Sequence, residues 1–92
     1  MRLNKKIAIV TGGASGFGAG IVRKFIAEGA NVVIADININ LANELAAEIG
    51  EKAHALEVNV ADGASVKAMA EQVMKTHGKI DILVNNAGIL YE

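Results

Sequence analysis

The chain contains no cysteine and no proline in its 92 residues. Without thiols there is no disulfide framework, no thiolate nucleophile and no cysteine metal site. Without proline, glycine is the punctuation, and the places where the ten glycines cluster carry information. Aromatic residues are scarce, limited to Phe17, Phe25 and Tyr91, so the core has to be aliphatic and alanine-rich. No sign of charge dominates: nine basic and ten acidic residues leave a formal charge of −1. That balance excludes the basic footprint of a nucleic-acid partner or an anionic membrane surface. Long apolar runs are lacking too. Arg2, Lys5 and Lys6 precede Ile7–Val10, but four apolar residues are too few for a signal-peptide core, and nothing approaches membrane-spanning length. The expectation is a soluble, cytoplasmic protein.

What is present is a globular composition, 52% hydrophobic and 21% charged, at a length that fits one domain over residues 1–92 with a modest core. Ile7-Ala8-Ile9-Val10 is short, apolar and β-branched, the pattern of a strand buried on both faces. A glycine-rich turn follows. Ile21, Val22, Phe25 and Ile26 then share one helical face, and Gly29 stops that helix. Asn31 to Ala35 reads as a second strand ending at Asp36. Asn38 or Asn40 can cap a second helix with Leu41, Leu45 and Ile49 on its apolar face, ended by Gly50. Ala53 to Val58 is a third strand, interrupted by His54 and Glu57. Asp62 caps a third helix that faces inward through Val66, Met69, Val73 and Met74 and stops at Gly78. Ile80 to Val84 is a fourth strand, followed by the turn Asn85-Asn86-Ala87-Gly88.

The order β-α-β-α-β-α-β predicts an α/β fold with parallel strands and right-handed crossovers. The expected strand order is 3-2-1-4, half of a doubly wound Rossmann sheet plus one strand.

The strongest chemical signal is Thr11-Gly12-Gly13-Ala14-Ser15-Gly16-Phe17-Gly18, placed directly between the first strand and the first helix. Gly12 permits a sharp turn. Gly16 leaves room for a pyrophosphate to approach the backbone, and Gly18 lets the helix pack closely. The helix N-terminus offers unpaired N–H donors and partial positive charge, and Ser15 adds a hydroxyl. Gly12, Ala14, Ser15, Gly16, Phe17 and Gly18 are therefore placed in a nucleotide site. No Gly-Lys-Ser or Gly-Lys-Thr follows, which excludes a P-loop.

Asp36 is the second signal, at the end of strand two and eighteen residues after Gly18. A carboxylate there accepts ribose hydroxyls and repels a 2′-phosphate, so the expected cofactor is NAD in preference to NADP. Its neighbour is Ile37 rather than an arginine that would hold the phosphate. His54 and His77 lack carboxylate or cysteine companions and read as ordinary structural residues. Met69 and Met74 read as core filler. Glu44, Glu48 and Glu51 read as a solvated face.

Thr-Gly-x-x-x-Gly-x-Gly at residues 11–18, together with Asn85-Asn86-Ala87-Gly88 after the fourth strand, resembles the classical short-chain dehydrogenases/reductases. Glucose dehydrogenases, hydroxysteroid dehydrogenases and 3-oxoacyl-carrier-protein reductases belong to that family, and the resemblance runs over essentially the whole chain. It implies that Asn59-Val60 contacts the adenine, through the Asn59 amide oxygen and the Val60 backbone N–H. It also implies that Asn86, Ala87 and Gly88 approach the adenosine while the turn steadies strand four beside strand one.

In that family a tyrosine acts as general acid/base, with a lysine four positions later and a serine and a further asparagine completing the set. All are expected beyond the Asn-Asn-Ala-Gly turn. The one tyrosine here, Tyr91, is followed only by Glu92. The expectation is thus an NAD(H)-binding half-Rossmann module that does not turn over alone. Two other readings stay open. One is a truncated form of an active NAD-dependent oxidoreductase interconverting alcohol and carbonyl; the other is a purely structural half-domain that self-assembles. An apolar strand-four edge, Ile80–Val84, predicts a homodimer through that edge.

Overall fold

A computed structural model describes residues 2–86 of the protein. Strands and helices alternate: β1 (Ile7–Thr11), α1 (Gly16–Ala27), β2 (Asn31–Asp36), α2 (Ile39–Ile49), β3 (Ala53–Glu57), α3 (Gly63–His77) and β4 (Ile82–Asn85). The strands form one parallel sheet in the order β3-β2-β1-β4. Thr11 is level with Ala35 of β2 and with Asn85 of β4, while Asp36 is level with Glu57 of β3. The carboxyl ends of all four strands therefore share one edge of the sheet. The chain leaves β1 toward β2 and β3 on one side and returns to β4 on the other. That reversal is the switch point at which open α/β sheets form a crevice.

All five residues of β1 are buried, as expected of a strand covered on both faces. On one face Ala8, Val10, Val32 and Ile34 pack with Val22 of α1 and with Ala42 and Leu45 of α2. On the other, Ile7, Ile9, Val33 and Ala35 pack with Val58 and with Met69 and Val73 of α3. One face thus carries two helices and the other one.

Helix boundaries follow local chemistry. Asn38 caps α2, its side-chain oxygen accepting the Leu41 amide at 3.1 Å. Asp62 caps α3 by accepting the Ala64 amide at 3.0 Å. Gly29 and Gly78 take the left-handed conformation just past α1 and at the end of α3, at φ 97° and 82°.

Three expectations shift. The inner face of α2 is Ala42, Leu45, Ala46 and Ile49. Leu41 lies off it and is exposed, because Ala42 already fills the centre of the stripe. Met74 is likewise exposed rather than core; its neighbour Val73 takes the inward position. Finally, β4 begins at Ile82, not Ile80. Asp81 stands before the strand, its amide donating to the Ile7 carbonyl at 2.9 Å and its Oδ2 accepting the Ile7 amide at 2.8 Å. Lys79 approaches the same carboxylate at 3.2 Å. The Ile7 amide, opposed by partial burial and helped by Lys79, holds the Asp81 carboxyl below its usual range.

Candidate functional site

The glycine-rich turn occupies the carboxyl edge of the sheet between β1 and α1. Gly12 has φ 65° and Gly16 φ 57°, a region where a side chain is strained. A Cβ on Gly16 would meet no protein atom within 4 Å, so the space over it is open. Gly18 is the opposite case. A Cβ there would come within 1.9 Å of the Gly12 carbonyl oxygen. The first turn of α1 packs directly onto the loop, so Gly18 serves close contact with the turn itself rather than with the strands.

Helix α1 starts differently from its two companions. Ser15 is its N-cap residue in an extended conformation, φ −151° and ψ 164°, yet makes no side-chain capping bond; no helix of the three has an acidic residue in its first turn. Donors at a helix start need an acceptor, and they carry the positive end of the helix dipole. Asn38 and Asp62 supply that acceptor for α2 and α3. The start of α1 instead faces the open space above Gly16.

The loop is braced from three sides. From β2, the Ala35 carbonyl accepts the Gly12 amide at 2.7 Å and the Gly13 amide at 3.5 Å. The Asp36 carboxylate accepts the Ala14 amide at 3.1 Å through Oδ2 and the Asn38 amide at 2.9 Å through Oδ1. From the turn after β4, the Asn86 amide Nδ2 donates to the Gly12 carbonyl at 3.2 Å. Asn86 thus reaches the glycine loop itself. Below, the buried Thr11 hydroxyl lies 3.2 Å from the Val84 carbonyl and 3.1 Å from Asn85 Oδ1, tying β1 to β4.

Asp36 and the exposed Ile37 stand beside this loop at the end of β2. Phe17 projects from the first turn of α1, 88% exposed. Asn59 and Val60 follow β3 at the same edge. The Asn59 Oδ1 accepts the Ala61 amide at 3.0 Å, closing a local turn, and the Asn59 amide donates to Ser65 Oγ at 2.9 Å. One of the two acceptor positions on that oxygen is therefore already in use. Between β1, β4 and α3 a cleft of about 250 Å³ is lined by Thr11, Val60, Val66, Met69, Leu83 and Asn85. The residues expected to hold a dinucleotide thus converge on one edge, except Ala87 and Gly88, which lie outside the described residues.

The sequence model of the family described as short chain dehydrogenase matches residues 6–92. The chain belongs to the short-chain dehydrogenase family. It is 51% identical over 89 residues to galactitol 2-dehydrogenase of Agrobacterium fabrum, a match covering 97% of this chain and 35% of that protein. Its fold superposes on the NADH complex of 3-ketoacyl-(acyl-carrier-protein) reductase from Brucella melitensis with TM-score 0.84 at 41% identity, covering 88% of this chain and 33% of that one. A hydroxysteroid dehydrogenase from Escherichia coli superposes with TM-score 0.87 at 39% identity, over 91% of this chain and 36% of that one. The chain spans about a third of the length of these relatives.

Two members of the dehydrogenase loop were not singled out from the sequence. Gly13 is buried, and a Cβ on it would lie 2.9 Å from the Val10 carbonyl oxygen and 3.2 Å from Ile34 Cγ2. The doubled glycine was its only signal. Thr11 was legible as the one polar side chain closing an otherwise apolar strand.

His54 of β3 and His77 of α3 meet, with ring centroids 4.8 Å apart and edge to face. They flank a small cleft of about 150 Å³ with Gln72 and Thr76. It lies toward the amino end of the sheet, away from the glycine loop. Burial, and then the nearby His77, lower the pKa of His54 below 6.5. Among the described residues no group of three or more His, Asp or Glu side chains is placed to hold a metal ion. No helix of the described residues is long and apolar enough to cross a membrane.

Proposed function

We propose that this chain is the NAD(H)-binding part of a short-chain dehydrogenase. The observation that carries the reading is the start of α1: uncapped by a side chain, free of acidic residues, and opening above a glycine with left-handed φ and no atom within reach of a Cβ. Such a helix end is a receptor for a diphosphate. In this reading the backbone of Gly12, Ala14, Gly16, Phe17 and Gly18 and the hydroxyl of Ser15 cradle the pyrophosphate. Asp36 accepts the adenosine ribose hydroxyls, with Ile37 against the adenine. Asn59 and Val60 meet the adenine edge beside the apolar cleft. Asn86 borders the adenosine from the β4 side, and Ala87 and Gly88, which lie outside the described residues, are proposed as further contacts. The anionic Asp36, with no cation beside it in sequence, favours NAD over NADP.

Support for the dinucleotide also comes from the Brucella melitensis relative, whose structure contains NADH. The nicotinamide supplies a hydride donor or acceptor. The reaction we propose for the whole protein is interconversion of an alcohol and a carbonyl. Hydride chemistry at a substrate oxygen also needs a positioned proton donor. No Tyr-x-x-x-Lys occurs in these 92 residues, so the stretch by itself is proposed to bind and not to turn over. We place it in the cytoplasm. We also propose that isolated copies pair as a homodimer through β4. Among the described residues that strand ends the sheet order, and an unpaired strand edge is a template for another.

The test of the cofactor reading is equilibrium binding of AMP, ADP-ribose and NAD to the purified chain. ADP-ribose bound as well as NAD, and AMP, which lacks the second phosphate, bound more weakly, would support recognition centred on adenosine and pyrophosphate. Binding of none would overturn it. Light scattering at high micromolar concentration tests the dimer, and a monodisperse monomer would refute it.

A further inference from the structure

Asp36 makes two bonds, and they reach different elements. Its Oδ1 accepts the Asn38 amide at 2.9 Å, a local bond at the start of α2. Its Oδ2 accepts the Ala14 amide at 3.1 Å, 22 residues away inside the glycine loop. The neighbouring Ala35 carbonyl holds the Gly12 and Gly13 amides. Three consecutive loop amides are thus fastened to the last two residues of β2. Of these anchors only the Asp36 carboxylate is a side chain, and only it can be removed by substitution.

A carboxylate has about four lone-pair positions, two on each oxygen. Each Asp36 oxygen gives one to a backbone amide. One remains on each oxygen, the pairing that a vicinal diol needs. The two amides also fix the plane of the carboxylate before any ligand arrives, which lowers the cost of ordering it on binding.

We propose that Asp36 is a positioning residue for the phosphate-binding loop as well as the ribose acceptor. Through Ala14 it sets the shape in which the loop presents its amides, so ribose recognition and phosphate recognition are coupled through one side chain. The ligand assignments rest on the proposed cofactor reading; the bond to Ala14 does not. A consequence follows for cofactor choice. Replacing Asp36 by a neutral residue removes the repulsion of a 2′-phosphate and at the same time frees the Ala14 amide. Charge removal alone therefore relaxes the preference without producing tight NADP binding.

The experiment measures amide exchange by NMR on the unliganded chain, for wild type, Asp36→Ala and the isosteric Asp36→Asn, alongside titrations with NAD, AMP and inorganic pyrophosphate. In Asp36→Ala the Ala14 and Asn38 amides exchange about tenfold faster, the loss of one charge-assisted bond each. The Val33 amide, in the middle of β2, does not change. Asp36→Asn retains one carbonyl oxygen, and only one of the two amides keeps its protection. Pyrophosphate has no ribose, yet its dissociation constant rises by about threefold or more in Asp36→Ala as the loop loses its preset shape. Unchanged Ala14 exchange overturns the proposal, as does a pyrophosphate affinity that stays constant while AMP affinity falls. Failure of the wild type to bind any of the three ligands would count against the cofactor reading instead, and the Ala14 exchange ratio would then decide the positioning role alone.

Discussion

The turn after β1 and the turn after β3 sit on the same edge of the sheet, but they are held in opposite ways. The first is held by residues distant in sequence: Ala35 and Asp36 from β2 and Asn86 from beyond β4. The second is held mostly by itself. Asn59 Oδ1 accepts the Ala61 amide, Ser65 Oγ accepts the Asn59 amide, and the Asn59 carbonyl accepts the Asp62 amide at 3.0 Å. Its tie to the sheet ends at Val58, whose amide donates to the Asp36 carbonyl at 3.1 Å. A turn braced from several strands exists only when the whole sheet is assembled. A turn braced locally can adjust without disturbing the core. The diphosphate end of the proposed site is thus built into the fold, and the adenine end is an attachment to it.

Substitutions that break one turn and spare the other sharpen this contrast. The largest effect belongs to Gly18→Ala. A Cβ at 1.9 Å from a backbone oxygen leaves no rotamer to escape into, so either the helix or the loop has to move. The expected loss is about 3 kcal/mol by urea denaturation. Gly20→Ala, two positions further along the same stretch of α1 and with no atom within 4 Å of its Cβ, is expected to stabilise by about 0.5 kcal/mol. A loss at Gly18 no larger than the change at Gly20 would contradict the packing described for the loop.

Asn86→Ala comes next. It removes the donor to the Gly12 carbonyl, a bond spanning 74 residues of sequence. The expected cost is about 1 kcal/mol, together with chemical-shift changes at Gly12 and Gly13. Asn59→Ala removes only a bond inside its own turn and is expected to cost about 0.5 kcal/mol, with shifts confined to residues near Ala61. If Asn59→Ala perturbed the glycine loop as strongly as Asn86→Ala, the division into braced and local turns would fail.

The same division explains what could be read from sequence. The strand order, the glycine turn and the caps at Asn38 and Asp62 rest on local signals: β-branched runs, glycine clusters, short polar residues before helical stripes. They were legible, and so was the convergence of Asp36 on the glycine loop's edge, since the strand order dictates it. The braces were not. Nothing local to Asn86 says that it reaches the Gly12 carbonyl, and nothing local to Asp81 says that it brackets Ile7. Asp81 looked like part of a strand because Ile80 and Ile82 flank it; only the packed sheet reveals that its carboxylate is satisfied across the strand start. Leu41 and Met74 misled for a related reason. Period alone places them on the edge of an apolar stripe, and the neighbour nearer its centre, Ala42 or Val73, takes the buried place.

The smallest expected effect concerns pH and the amino end of the sheet. The folded protein lowers the His54 pKa through burial and His77, so the unfolded chain takes up a proton first as pH falls. The neutral-state contribution is complete above pH 6.5 and declines as pH drops through that value toward the folded pKa. A urea midpoint that falls between pH 7 and pH 5 is expected, with a shallower fall in His54→Gln. Asp81 acts in the same direction at lower pH: its carboxyl is held below 3.8, so its contribution persists above that value and is lost on further acidification. An identical pH profile for His54→Gln and wild type would remove His54 from the account. Neither change touches the glycine loop, and neither is expected to alter cofactor binding at neutral pH.

The central claim is that the braced turn and Asp36 together form an NAD receptor. A calorimetric titration of the purified chain with NAD, with NADP as the comparison, tests it most directly. The account predicts saturable NAD binding that exceeds NADP binding and weakens in Asp36→Ala. No detectable binding at millimolar NAD, or NADP bound as tightly as NAD by the wild type, would contradict it.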